Sequence, residues 1–311
     1  MQAAAKIRIG TRGSPLALAQ AHEVRDRLKS AHDLSDEAIS ITIIKTTGDQ
    51  ILDRPLAEIG GKGLFTKEIE DALLAHEIDV AVHSMKDMQT ALPDGLAIGA
   101  VLPREDVRDA FISLRHASLA EIPAGAVVGT SSLRRQAQLL HKRPDLTVVG
   151  FRGNVQTRLR KLQDGVAEAT FLAVAGLKRL GLADRITAPV PIDQMLPAVA
   201  QGAIGLEIRA GDAETAEWIA PLNDAATALA VTAERAFLAR LEGSCRTPIA
   251  GYAHLEAGKL VFRGQVLSPD GKKGYEVARS DAPERAIDVG LSAADDVLSK
   301  ADPDVLARSP V

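Results

Sequence analysis

The chain has 311 residues, of which 46% are hydrophobic and 25% are charged, and its formal net charge is -4. This composition excludes collagen-like, coiled-coil and wholly disordered chains, and the length predicts about two domains or three small ones. A single cysteine, Cys245, excludes an intramolecular disulfide and a cysteine-based metal cluster, which indicates the reducing cytoplasm. We expect no secretory signal, no membrane span and no metal site.

Positive charge is concentrated in the middle of the chain. Residues 104–179 carry 13 Lys and Arg against 7 Asp and Glu, whereas residues 1–103 carry 11 against 15 and residues 211–311 carry 11 against 16. A basic segment in an acidic chain predicts a local anionic ligand, although a solvated basic face gives the same count. Aromatic residues make up only 3% of the chain, which disfavours the stacking platforms of nucleic-acid-binding proteins.

The first two-thirds of the chain alternate between strand and helix patterns. Apolar or β-branched runs predict strands at Lys6–Gly10, Ile39–Thr46, Ile78–His83, Leu96–Leu102, Asp109–Leu114, Ala126–Gly129, Thr147–Phe151, Ala169–Ala173 and Ala203–Arg209. Helices are predicted from Ser14-Pro15, at Leu64–His76, from Ser131-Ser132 to Arg143, at Asn154–Gln163 and near Gly176–Leu180. The glycine- and proline-containing segment Thr47–Gly63 is a predicted loop.

The last third has a different pattern. A long helix at Asp224–Leu241 precedes three strands, and a helix at Pro283–Lys300 follows them; the strands are Pro248–Leu255, Lys259–Leu267 and Gly274–Ser280. The predicted fold class is therefore α/β, with two doubly wound lobes like those of two-lobed binding proteins and a C-terminal α+β domain containing a three-stranded antiparallel sheet. The predicted domains are residues 1–103 with about 200–221, residues 104–199, and residues 222–311.

Two polar motifs in the first lobe lie at predicted strand ends. The run Gly10-Thr11-Arg12-Gly13-Ser14-Pro15, with Gln20 one turn later, places a guanidinium beside a helix N-terminus, where anions are favoured. The run His83-Ser84-Met85-Lys86-Asp87 places a hydroxyl, an ammonium and a carboxylate after a strand, where α/β folds bind ligands. A capped helix and an ordinary polar loop are the structural alternatives.

Two further motifs lie in the middle and last thirds. Four arginines follow two adjacent predicted strands, with Ser132 at the helix start: Arg134, Arg135, Arg152 and Arg158. The forked N–H groups of a guanidinium suit bidentate binding of carboxylates. Phosphate or nucleic-acid binding, or pairing with Asp and Glu, is the alternative. The run Gly243-Ser244-Cys245-Arg246-Thr247-Pro248 places the cysteine in a predicted loop, although a lone cysteine is more often a small buried hydrophobe.

Taken together, seven runs resemble the porphobilinogen deaminase (hydroxymethylbilane synthase) family over nearly the whole chain. They occur in the family's order at residues 11–18, 60–65, 83–87, 129–135, 152–155, 172–179 and 241–245. The resemblance implies an enzyme, a transferase that joins four porphobilinogen molecules head to tail with loss of ammonia and releases linear hydroxymethylbilane. It also implies a dipyrromethane cofactor, held by a thioether to Cys245, in a monomeric cytoplasmic protein that binds neither nucleic acid nor membrane.

The resemblance also implies a role for individual residues. The catalytic aspartate falls on Asp87. The positions that hold the cofactor, besides Cys245, fall on Ser84, Lys86, Ser132, Arg134, Arg135 and Arg158. The positions that hold the substrate fall on Arg12, Gln20, Lys62, Arg152 and Arg179. One departure follows Asp87, where the family usually has a proline within two residues and this chain has Met88-Gln89, which predicts a looser loop.

Two alternative functions are weaker. A noncatalytic two-lobed protein that binds small anions would explain the lobes and the arginines, but not the third domain or Cys245. A nucleic-acid-binding protein would be basic, whereas the isoelectric point of this chain is about 6.0. A colour reaction for dipyrromethane on the purified protein would separate the three possibilities.

Overall fold

The described part of the chain divides into two compact units. The computed structural model describes residues 7–50, 63–243, 247–302 and 305. Unit 1 comprises residues 1–104 and 203–228, and unit 2 comprises residues 105–202 and 229–310. The chain thus leaves unit 1 after Arg104 and returns to it at Ala203. The three-domain division stays a prediction.

Strands and helices alternate along both units. The strands are β1 (Ile7–Arg12), β2 (Ile39–Ile44), β3 (Val80–Ser84), β4 (Leu96–Val101), β5 (Asp109–Ser113), β6 (Val127–Gly129), β7 (Thr147–Val149), β8 (Ala169–Ala173), β9 (Ala188–Pro189), β10 (Ile204–Arg209), β11 (Ile249–Glu256), β12 (Lys259–Leu267) and β13 (Gly274–Asp281). The helices are α1 (Pro15–His32), α2 (Thr47–Gln50), α3 (Lys67–Leu74), α4 (Leu133–Lys142), α5 (Val155–Gln163), α6 (Val174–Arg179), α7 (Ala213–Ile219), α8 (Ala225–Arg240) and α9 (Ala286–Lys300).

Unit 1 is built on a five-stranded sheet in the order β2-β1-β3-β10-β4. Strands β2, β1 and β3 are parallel, whereas β10 runs antiparallel to both β3 and β4. The sheet is therefore mixed, because its fourth strand is supplied by the returning chain. Ile9, Val80 and Leu206, from three neighbouring strands, belong to its buried core.

Unit 2 contains a second five-stranded sheet, in the order β7-β6-β8-β5-β9. Strands β7, β6 and β8 are parallel, and β5 is antiparallel to β8 and β9. Phe111 and Phe171 are directly paired in the register of β5 and β8, and their ring centroids lie 6.0 Å apart. The parallel strands β6, β7 and β8 direct their carboxyl ends to one edge, from which α4, α5 and α6 begin.

The three-stranded sheet β11-β12-β13 is antiparallel throughout, as predicted. Helices α8 and α9 contribute to its core, in which Phe237 and Phe262 pack with ring centroids 4.9 Å apart. The predicted fold class, two α/β lobes and a C-terminal α+β part, is confirmed. Within the described residues, no helix combines the length and apolar character that crossing a membrane requires.

Predicted and observed boundaries differ at several elements, and three of these differences have identifiable tertiary reasons. The predicted loop from Thr47 begins with the helical turn α2, because Thr47 donates its N–H to the Glu68 carboxylate and Gly48 donates to the Leu64 carbonyl. Helix α3 begins at Lys67 rather than Leu64, because Thr66 and Lys67 both donate to the carbonyl of Gly63 and form a turn there. Strand β7 ends at Val149, because the backbone N–H of Phe151 donates to the Ser131 hydroxyl instead of continuing a ladder.

The turn between β12 and β13 packs against helix α4. Gln136 Nε2 donates to the Pro269 carbonyl, and His141 Nδ1 lies 2.7 Å from the Gly271 carbonyl oxygen. Gly271 has φ +72°, and a Cβ built there would lie 2.5 Å from the His141 backbone nitrogen and 2.6 Å from the Ala137 carbonyl oxygen. The C-terminal sheet therefore supports the helix that carries Arg134 and Arg135.

We expect Gly271→Ala to lower the free energy of unfolding by about 1–3 kcal/mol, because the added methyl meets backbone atoms and the turn must move away from α4. Urea unfolding measures the change. Gly258→Ala is the matched control, since Gly258 has φ +76° in the β11–β12 turn but open space around it. It should lose only the roughly 1 kcal/mol of backbone strain, and equal losses in the two variants would refute the packing argument.

Candidate active site

The first site motif folds as a strand, a tight turn and a capped helix. Arg12 ends β1, and the Ser14 hydroxyl accepts a hydrogen bond from the Ala17 N–H while Pro15 occupies the first helical position of α1. The Arg12 guanidinium lies over the ring of Phe65, with Cζ 4.1 Å from the ring centroid. This stacking fixes the plane of the charged group against the ring.

Two of the predicted ligands in unit 1 contact each other. Gln20, which is buried on α1, donates through Nε2 to the Ser84 hydroxyl at 2.8 Å, and Ser84 lies 3.0 Å from Gln20 Oε1. The preceding residue, His83, belongs to the core instead. Its Nε2 lies 3.0 Å from the carboxylate of Glu207 on β10, and both side chains are buried.

A 3-10 turn at Met85–Asp87 presents the remaining polar residues of this motif. The Met85 side chain is only 1% exposed and lies beside Gly205 on β10, where a Cβ would come within 2.0 Å of the sulfur. The Met85 N–H also donates to the Ala203 carbonyl at 3.0 Å. This buried anchor leaves Lys86 and Asp87 exposed, and within the described residues the Asp87 carboxylate has no hydrogen-bond or ion-pair partner.

The segment after Asp87 is anchored without a proline. Met88 is buried, and its N–H donates to the Met85 carbonyl at 3.2 Å. Gln89 donates through Nε2 to the Glu70 carboxylate at 3.3 Å. Core packing of Met88 and the Gln89 hydrogen bond thus hold this segment, although the missing proline predicted a looser loop.

In unit 2, the predicted ligands gather at the carboxyl edge of the parallel strands. Ser132 follows β6 and caps α4, accepting a hydrogen bond from the Arg135 N–H. Asn154 follows β7 and caps α5 through the Thr157 N–H. These caps fix the first turns of two neighbouring helices, and the arginines of both motifs lie on or beside those turns.

Arg134 and Arg135 are buried, which their sequence pattern did not indicate. They are 6% and 5% exposed, and both bind the fully buried carboxylate of Asp109 at the start of β5. Burial by itself would raise the pKa of the Asp109 carboxyl, but the two guanidinium groups outweigh burial and hold that pKa well below its usual range. The sequence predicted Asp109 as part of a strand and did not predict a role for its side chain. The available signal was a charged residue at the start of an otherwise apolar strand.

Arg158 extends the positive region beyond this pair. Burial and the charges of Arg135 and Arg152 lower the pKa of the Arg158 guanidinium to about 10, so it stays charged at neutral pH. Within the described residues, Arg158 has one hydrogen bond, from Nε to the Gly153 carbonyl, and no carboxylate partner. Arg179, at the end of α6, donates to the Gly202 carbonyl at 3.1 Å.

The donor set of unit 2 fits a ligand that carries several carboxylates. The charges of Arg135 and Arg152 both lower the pKa of Arg158, so like charges repel at this guanidinium, and the buried Arg134 Nε has no partner within the described residues. An anion would relieve the repulsion and satisfy the donor. Lys62 and Cys245 lie outside the described residues.

Comparison with known proteins agrees with this chemistry. The family model "Porphobilinogen deaminase, dipyromethane cofactor binding domain" matches residues 7–217, and "Porphobilinogen deaminase, C-terminal domain" matches residues 228–299. The chain belongs to the porphobilinogen deaminase family. It is 62% identical to a porphobilinogen deaminase of Paracoccus denitrificans over 96% of this chain and 95% of that protein. It is 60% identical to the chloroplastic porphobilinogen deaminase of Pisum sativum over 96% of this chain and 83% of that protein.

Among solved structures, the chain is similar to a nutrient-binding protein from Burkholderia cenocepacia bound to methionine. The identity is 13%, the TM-score is 0.42, and the match covers 68% of this chain and 90% of the other.

Gly205→Ala should displace the turn that carries Asp87, because the new methyl overlaps the buried Met85 sulfur. We expect the free energy of unfolding to fall by about 1–3 kcal/mol and kcat to fall about a hundredfold. In a Met85→Ala background the same substitution should lose less stability, since the overlapping sulfur is gone. Strictly additive losses, measured by urea unfolding of all four proteins, would contradict this packing argument.

The Asp109 carboxylate also makes the free energy of unfolding depend on pH. Its pKa is lowered in the folded state, so its contribution is fully present above the unfolded pKa of about 3.9. That contribution should decline as the pH falls from about 4 through the folded pKa, because the unfolded chain then binds a proton that the folded chain does not. The stability difference between the wild type and Asp109→Asn should therefore shrink in this acid range. A constant difference from pH 6 to pH 2 would exclude the carboxylate as its source.

Proposed function

We propose that Asp87 is the acid–base carboxylate of this enzyme and that the arginines of the site motifs bind the carboxylates of its substrate and cofactor. The enzyme is a hydroxymethylbilane synthase, a transferase that condenses four porphobilinogen molecules head to tail. The observation that carries the residue assignment is the contrast between two groups. Asp87 is an exposed carboxylate on an anchored turn, with no partner among the described residues, whereas Arg158 is a guanidinium whose pKa is lowered by burial and by two neighbouring arginines.

The substrate explains why the site residues are basic. Each porphobilinogen ring carries an acetate and a propionate, so every condensation adds two negative charges to the growing chain. We assign substrate carboxylates to Arg12, Gln20, Lys62, Arg152 and Arg179. Guanidinium forks suit this task, because they bind carboxylates in two-point geometry and never lose their proton at neutral pH.

The dipyrromethane cofactor fits the remaining donors, which we assign as Ser84, Lys86, Ser132, Arg134, Arg135 and Arg158. Arg134 Nε has no partner among the described residues, and Arg135 and Arg152 place further positive charge near Arg158. Both features suit a group that itself carries carboxylates. We propose Cys245, the single thiol of the chain, as the attachment point. When bound, this cofactor supplies the free pyrrole α-carbon to which the first substrate is joined.

Asp87 has the chemistry that the condensation needs. The bond between the aminomethyl carbon and its nitrogen breaks with loss of ammonia, and the carbon left behind becomes electron-poor. As an acid, Asp87 gives the departing amine its proton; as a carboxylate, it stabilises the developing positive charge and takes the α-proton of the attacking ring. Arginines cannot perform this transfer, since they stay protonated.

A noncatalytic anion-binding protein is not favoured, because family models cover both the cofactor-binding region and the C-terminal domain. We also propose a monomeric protein that works in the cytoplasm on a small-molecule substrate. The single cysteine supports a reducing compartment, where a free thiol persists until the cofactor is attached.

Asp87→Asn tests the catalytic assignment, because it keeps shape and removes both charge and proton transfer. We expect turnover of the folded, cofactor-loaded protein to fall about a hundred- to ten-thousand-fold, with intact mass showing stalled adducts of one to three rings. Stability should be nearly unchanged, because the position is exposed. Asp87→Glu should retain more activity. Near-normal turnover of Asp87→Asn would remove this residue from the mechanism.

Cys245→Ser tests the attachment point. The intact mass of the wild type should exceed the sequence mass by one dipyrromethane, and the variant should have the sequence mass and no activity. An alkylating reagent should not modify Cys245 in active wild-type enzyme. Full activity with a freely alkylated thiol would contradict the thioether.

A further inference from the structure

Asp109 lies between two buried arginines of unit 2. Its Oδ2 accepts from Arg134 Nη2 at 2.7 Å, and its Oδ1 accepts from Arg135 Nη2 at 2.7 Å and Nε at 3.2 Å. Gln201 Nε2 adds a fourth donor at 3.0 Å. All three charged side chains are at least nine-tenths buried, and Asp109 is fully buried.

Backbone carbonyls fix the other ends of both guanidinium groups. Arg134 Nη1 donates to Leu196 O at 2.7 Å, and Arg135 Nη1 donates to Phe171 O at 2.9 Å. Each guanidinium is therefore held between a carboxylate and a carbonyl, which leaves it little rotational freedom. The buried Arg134 Nε has no partner within the described residues.

The charge of this cluster is unbalanced. Two guanidinium groups and one carboxylate leave a net charge of +1 in a buried environment, where an uncompensated charge is costly. Without the carboxylate, two positive charges would face each other. Asp79 of unit 1 also binds two arginines, but one of them, Arg209, has a second carboxylate partner in Asp212 at 2.7 Å. Among the described residues, neither Arg134 nor Arg135 has a carboxylate partner other than Asp109.

We propose that Asp109 is a positioning residue for cofactor binding: it orients the Arg134 and Arg135 forks and reduces their combined charge so that the pair takes one carboxylate group of the cofactor. This inference rests on the proposed role of Arg134 and Arg135 as cofactor ligands. Asp109 acts through the arginines and does not itself contact the ligand.

The experiment compares cofactor loading in Asp109→Asn, Asp109→Ala and Arg134→Gln, measured by intact mass after the apoproteins are incubated with porphobilinogen. Asp79→Asn is the matched control. Asp79 also binds two arginines, Arg8 at 2.7 Å and Arg209 at 3.3 Å, but neither is a proposed ligand. Thermal unfolding of each protein monitors stability separately from loading.

We expect Asp109→Asn and Asp109→Ala to load about tenfold less cofactor than the wild type, because losing one charge-assisted interaction changes an equilibrium by about that factor. Asp79→Asn should lose stability and keep its loading. Formate should restore loading and melting temperature to Asp109→Ala, since it supplies the missing carboxylate, whereas neutral formamide should not. This rescue keeps the test informative where Asp109→Ala alone folds poorly.

The outcomes separate the inference from the proposed function. If Arg134→Gln loads like the wild type, Arg134 is not a cofactor ligand and the proposed assignment fails. If Arg134→Gln loses loading while folded Asp109→Asn keeps it, the positioning role alone is wrong. Equal rescue by formate and formamide would reduce Asp109 to a space-filling residue and overturn the inference.

Discussion

Burial of adjacent guanidinium groups is the constraint on which the organisation of unit 2 depends. Moving a charge out of water costs several kcal/mol even after the protein relaxes, and two like charges add their repulsion. Asp109 makes this arrangement possible by standing at the start of β5, opposite the helix that carries Arg134 and Arg135. Breaking such a cluster by removing one partner is strongly destabilising, because the remaining charge stays buried.

The strand order of the sheet brings the members of this cluster together. Parallel β6, β7 and β8 deliver three helix starts to one edge, and antiparallel β5 begins at the same edge because it runs the other way. A carboxylate at the beginning of one strand thereby meets arginines that follow the end of another. The three-stranded sheet adds support from behind, since its β12–β13 turn binds α4.

In unit 1, an apolar side chain rather than an ion pair fixes the polar turn after strand β3. There the turn is anchored by an apolar side chain, Met85, in a space that Gly205 leaves open, and the polar residues remain exposed. The acid–base role proposed for Asp87 requires proton exchange with the substrate, and an exposed carboxylate with no partner among the described residues suits that role. The carboxylate-binding role proposed for Arg134 and Arg135 requires a fixed orientation instead, and burial beside Asp109 provides it. In unit 1 a buried apolar side chain holds the turn that carries an exposed carboxylate, whereas in unit 2 burial and a carboxylate hold the guanidinium groups.

The sequence alone determined the α/β class, most strand and helix positions, the C-terminal antiparallel sheet and the identity of the polar motifs. Periodicity, caps and glycine-containing turns are local properties, so the residues themselves encode them. The residues of the Ser84–Gln20 contact were predicted separately, but their hydrogen bond was not, since they are far apart in the chain.

Only the tertiary structure decided the direction of β10, the partnership of Asp109 with two arginines and the packing of Met85 against Gly205. These features join residues that are distant in sequence, and no local pattern specifies which of many strands will be neighbours. Burial likewise depends on what covers a residue, which is why the sequence pattern did not indicate that Arg134 and Arg135 are buried in the fold.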